Sequence, residues 1–131
     1  MKILILVSRI LLGLPFLIFG MLKLFPNLHP MPMPTGDVGT LTGLMFAHGW
    51  LHVVGAAEVA GGLLLLSGRF VPLGLTILAA VGLNIIYFNL AFGSPQIYLA
   101  LFLAILEVIL VYAYRESFRG LFDGKAQPHW K

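Results

Sequence analysis

Apolar residues run almost without interruption from Ile3 to Phe25, and after a stretch broken by prolines the pattern resumes at Leu44. A helix that crosses the hydrocarbon of a bilayer needs roughly 20 mostly apolar residues. Four segments meet that demand, at about 3–25, 44–66, 71–91 and 96–114. The first follows Lys2 as a signal peptide would. No small-residue cleavage site closes it, however, and its apolar pattern continues past Gly20, which predicts a retained helix. The turns Ser67-Gly68-Arg69-Phe70 and Gly93-Ser94-Pro95 are short, so the later spans are expected to be antiparallel neighbours. Segment 26–43 is different. Pro26, Pro30, Pro32 and Pro34 exclude a regular helix and Asp37 is charged, so it is expected to form the one long loop. The pattern predicts an all-α fold, an integral membrane four-helix bundle forming a single membrane domain over 1–131, with a charged tail at 115–131.

Composition supports a membrane solvent. The chain is 60% hydrophobic and 10% charged, with a mean hydropathy of +0.99. A soluble domain of this size needs more polar residues to cover its surface. Cysteine is absent, which excludes disulfides, thiolate metal ligation and thiol redox chemistry by this chain. The net charge of +3 does not imply a nucleic-acid partner, because the distribution of the charges explains it. With four spans, the two ends and the second connection share a side. That side carries Lys2, Arg9, Arg69, Arg115, Arg119, Lys125 and Lys131, and the other carries only Lys23. Basic flanks prefer the cytoplasm. The expected orientation is therefore N-in and C-in, in a bacterial cytoplasmic (inner) membrane, with the Pro-rich loop outside.

Ionisable groups inside a bilayer are costly and tend to face the bundle interior. At 100° per residue, Arg9, Gly13, Phe16, Gly20 and Lys23 share one stripe of the first helix. His48, His52, Gly55, Glu58 and Gly62 share one on the second, Ala80, Asn84 and Tyr87 on the third, and Ala100, Ala104, Glu107 and Tyr114 on the fourth. The small residues serve helix packing. With a rise of 1.5 Å per residue, Arg9, Glu58 and Glu107 each lie roughly 10 Å from the cytoplasmic ends of their spans. They are expected to form one buried charge cluster, either an ion pair that fixes helix register or a proton-handling group. Lys23, His48, His52, Asn84 and Tyr87 fall in the outer half as candidate ligand-facing groups. The i, i+4 histidines could hold a metal, but no third ligand of clear spacing accompanies them and no metal is expected. Trp50 suits the membrane interface, and Phe118, Leu121 and Phe122 interleave with Arg115 and Arg119 in a stretch suited to the inner leaflet.

The sequence resembles the DoxX family of small bacterial membrane proteins. Arg9-Ile10-Leu11-Leu12-Gly13, continuing through Phe16 and Phe19-Gly20 to Lys23, is similar to the family's opening pattern. Gly55-Ala56-Ala57-Glu58, followed by Gly61-Gly62 and the Gly68-Arg69 turn, resembles its second helix. Glu107 with Tyr114 to Arg119 resembles the close of its fourth. The resemblance implies a four-helix inner-membrane protein linked to redox biology, since the family takes its name from a subunit of a quinone-reducing thiosulfate oxidoreductase. It therefore implies a membrane subunit of a quinone-linked or other redox complex, not catalytic on its own. A quinone is then the candidate cofactor, a membrane or soluble oxidoreductase the candidate partner, and a homo-oligomer a further option. Alternatives are a non-catalytic assembly or chaperone-like membrane protein, a small-solute or proton-coupled carrier, and an enzyme acting on a lipid-like substrate.

Overall fold

The computed structural model describes residues 1–28 and 34–129. Pro30 and Pro32 of the proline-rich segment, and Lys131 of the basic flank, lie outside the described residues. Those described form five α-helices and two 3-10 segments, with no strand among them. The helices are α1 (Lys2–Leu24), α2 (Gly36–Ala47), α3 (Trp50–Ser67), α4 (Val71–Phe92) and α5 (Ile97–Ala113). A 3-10 turn at Pro26–Leu28 follows α1, and a 3-10 helix at Arg115–Phe122 follows α5.

Three helices, α1, α3 and α4, are each long and apolar enough to cross a membrane. The fourth candidate is α5 together with the 3-10 helix after it, from which it is bent by 84°. Much of their apolar surface faces outward: Val53, Leu83 and Val108 are 68%, 70% and 67% exposed. Such a skin on a folded chain is stable only against lipid. This is a multi-pass membrane protein in contact with the bilayer.

Helix α2 corrects the sequence reading. The stretch expected to be loop up to residue 43 turns helical at Gly36, because no proline follows Pro34 until Pro72. Thr35 enters in extended conformation, and Asp37 lies in the first turn, where a negative charge complements the N-terminal end of the helix dipole. The span expected at 44–66 is in fact interrupted. His48 ends α2, and Gly49, at φ +74°, redirects the chain into α3. A left-handed residue is a common helix stop, and it does not register in hydropathy. At 12 residues α2 is about 18 Å long, too short to cross a hydrocarbon core of about 30 Å.

α1 packs on α3 and α5, α3 on α4, and α4 on α5, while α2 touches α3. The core they enclose includes Leu12 and Phe16 of α1, Leu65 of α3, Leu75 and Leu78 of α4, and Leu103, Leu106 and Leu110 of α5. The α1–α3 seam is built on glycine. A Cβ on Gly20 would lie 2.6 Å from the Gly55 carbonyl oxygen, and one on Gly62 would lie 2.7 Å from that of Gly13. The two antiparallel backbones touch, with no room for side chains between them. On its other side α3 meets α4 through Gly61 and Gly74, where a Cβ on Gly74 would come within 3.1 Å of the Gly61 oxygen.

Overpacking of this kind costs typically about 1–3 kcal/mol. Gly20→Val is expected to lower stability by at least that amount in an unfolding titration in detergent. Gly82→Ala, whose new Cβ meets nothing within 4 Å, is expected to be neutral or stabilising. Equal effects of the two would contradict the close seam.

Candidate functional site

The α1–α3 seam places two of the three basic side chains of α1. Lys23 lies one turn beyond Gly20. A Cβ on Gly55 would fall 2.9 Å from the Lys23 Cβ, so the bare Gly55 backbone gives the lysine stem a path across α3. Its Nζ donates to Glu58 Oε1 in an ion pair. The Glu58 side chain is fully buried and that of Lys23 is 25% exposed. Glu58 Oε2 accepts no hydrogen bond among the described residues.

Arg9 lies at the other end of the seam. Its Nε donates to the Leu65 carbonyl oxygen at 2.9 Å. Gly68, at φ +75°, ends α3, and a Cβ there would lie 2.7 Å from Arg9 Nη2. The guanidinium therefore caps the C-terminal carbonyls of α3, where the helix dipole favours a cation. This corrects the expected cluster. Arg9 is committed to backbone at the end of α3, and the cation facing Glu58 is Lys23, which the depth estimate assigns to the outer layer. Lysine's long stem carries its charge well away from its own Cα, and a depth count by residue number misses that reach.

The rest of the outer layer does not converge on Lys23. His48 sits at the α2–α3 break and His52 in the first turn of α3, so one continuous helical face does not present both, and both are exposed. Asn84 is exposed and donates to Ala80 O of its own helix at 2.9 Å. Tyr87 is 72% exposed. The buried asparagine of α4 is Asn89, which lies off the stripe of Ala80, Asn84 and Tyr87. Its Nδ2 donates to Ile85 O at 2.8 Å. Asn84 and Asn89 make the same bond to their own helix, so no sequence signal separates them.

Glu107 takes no part in either contact, that of Arg9 or that of Lys23 with Glu58. It lines a cavity of about 200 Å³ between α1, α4 and α5. Leu12 and Phe16 form its floor, Leu78, Gly82, Ile85 and Ile86 one wall, and Ala100, Leu103 and Ala104 the other. Leu83 and Val108 also line it, and both are largely exposed, so the cavity opens sideways between α4 and α5. Both Glu107 oxygens are buried and neither has a hydrogen-bond partner among the described residues. Of the stripe Ala100, Ala104, Glu107 and Tyr114, the first three line this cavity, and the small residues leave a void instead of closing a contact.

A family model, DoxX, matches residues 4–91, more than half of the chain. The chain belongs to the DoxX family. The DoxX match covers α2, α3 and nearly all of α1 and α4, and with them Arg9, Lys23, Glu58 and the glycine seam. Glu107 and the Tyr114–Arg119 stretch lie beyond it. No curated protein and no solved structure matches the chain significantly.

Breaking a buried ion pair strands the surviving charge and costs about 3–5 kcal/mol, whereas replacing both partners with apolar groups is often neutral. Lys23→Met alone is expected to destabilise the protein severely, and Lys23→Met with Glu58→Leu to recover most of the loss. A double-mutant cycle in detergent measures this. Additive losses would mean that the two side chains do not interact.

Proposed function

We propose that this DoxX protein is a four-helix bundle of α1, α3, α4 and α5 in the bacterial cytoplasmic membrane, with both ends inside. The charge distribution supports this orientation, since every basic residue but Lys23 and those outside the described segments flanks the same side of such a bundle. Because the sequence has no cysteine, single cysteines report sidedness cleanly. Thr40→Cys is expected to react with an impermeant maleimide in intact cells, and Gly124→Cys only after permeabilisation. The reverse pattern would invert the topology.

Within that bundle the protein serves as a membrane subunit of a redox complex, seating a quinone-type molecule for a partner oxidoreductase. The observation that carries this reading is the unpaired Glu107 carboxyl buried at the edge of an apolar cavity open to lipid. A cavity of about 150 Å³ already admits benzene, so the space suits a substituted ring whose isoprenoid tail leaves between Leu83 and Val108. When bound, a quinone supplies two-electron, two-proton chemistry. Glu107 can accept a hydrogen bond from a hydroxyl of the reduced ring and hold or pass its proton. Arg9 and the Lys23–Glu58 pair are occupied in joining helices and contribute register, which suits a subunit that acts with a partner.

The wild-type protein is expected to bind a short-chain menaquinol or ubiquinol analogue in detergent. One lost hydrogen bond is worth about 0.5–1.5 kcal/mol, so Glu107→Leu should weaken binding severalfold, up to about tenfold. Ala104→Phe, which fills the cavity, should abolish it. Unchanged affinity in both variants would remove the cavity as the seat. No binding by wild type, alone or in native membranes, would remove the quinone reading.

A further inference from the structure

The 3-10 helix Arg115–Phe122 leaves α5 at a bend of 84°. With α5 crossing the membrane, that bend lays the segment along the membrane surface. Phe118 holds it there, since its side chain is buried in the core cluster with Leu110. Beyond that anchor the chain exposes two adjacent large apolar side chains, Leu121 at 72% and Phe122 at 84%. The first turn of the segment carries Arg115. Its Nη1 donates to the Tyr112 carbonyl oxygen at 2.9 Å, and its guanidinium sits 4.4 Å from the centre of the Tyr112 ring. Arg119 is already paired, with Nη1 3.0 Å from Glu116 Oε2. Arg115 has no carboxylate partner among the described residues. Tyr112 is 65% exposed on the outside of α5, in the position of an interfacial aromatic.

We propose that Arg115–Phe122 is a surface foot that binds an anionic membrane lipid. The headgroup phosphate is held by Arg115, and Leu121 and Phe122 enter the upper acyl region. Two features on one short segment select this occupant. The bare apolar pair needs a solvent that tolerates it at the membrane boundary. The guanidinium, oriented by the Tyr112 ring and carbonyl, keeps N–H groups for a phosphate, which its planar fork fits. The foot lies away from the Glu107 cavity and does not depend on it.

The test uses the full chain, whose lack of cysteine allows Phe122→Cys to carry an environment-sensitive fluorophore. The protein is reconstituted in phosphatidylcholine vesicles with or without phosphatidylglycerol. Quenching is expected from lipids brominated high on their acyl chains and not from aqueous iodide. The emission should shift to the blue as phosphatidylglycerol is added. That shift should vanish in Arg115→Gln and at about 1 M salt, where the Debye length is about 3 Å. Inorganic phosphate at low millimolar concentration should not reverse it. Leu121→Cys, labelled in the same way, gives a second reading should the Phe122 variant misfold. Iodide access in both vesicle types, or a phosphatidylglycerol response unchanged by Arg115→Gln, would overturn the proposal. Protection seen only with a co-purified protein present would reassign the foot to a protein partner and overturn it too.

Discussion

In lipid, two apolar helices gain nothing from hiding their side chains from water, so a tight pair must be held by packing and polar contacts. The α1–α3 pair obtains both from missing side chains. Gly13 and Gly20 meet Gly62 and Gly55 with backbones in contact. That contact fixes the register of the pair, and the register decides where charge can go. Lys23 can cross α3 only because Gly55 offers no side chain in its path. Arg9 can lie against the end of α3 only because Gly68 is also bare. The ion pair and the cap follow from the glycines, and each in turn resists any slip of the seam.

This dependence explains which parts of the structure could be read from sequence. The glycine stripes of α1 and α3 are correct because small residues at helical spacing need few assumptions beyond an ideal helix. The partner of Arg9 is not legible. A count of charges by depth pairs cations with carboxylates, but the termini of a helix offer partial charges of their own. The Leu65 carbonyl is invisible to a search for acidic side chains. The break at His48–Gly49 escapes for a related reason. Hydropathy integrates side-chain character across α2 and α3, while the break lies in the backbone angle of one glycine.

The small residues of α4 and α5 show that spacing alone does not determine packing. Gly82 of α4 and the i, i+4 pair Ala100 and Ala104 of α5 are also small residues on helix faces, yet they border a cavity. Bulky neighbours account for the difference. Leu78, Ile86 and Leu103 line the same space and hold the two helices apart where the small residues would let them approach. A stripe of small residues predicts a close contact only if the flanking positions permit one.

The polar groups of the bundle can then be separated by what already satisfies them. Arg9 has the end of α3, Lys23 and Glu58 have each other, and Asn89 has its own helix. Burying a polar group without a partner is expensive in hydrocarbon, where no water can substitute. Glu58 leaves one oxygen without a partner but is held by Lys23 through the other, whereas neither oxygen of Glu107 has a partner among the described residues, and a leucine there would fill part of the void and remove the desolvation cost. An acid so placed, beside an opening to lipid, suits the proposed ligand from the bilayer better than a role in holding the helices together.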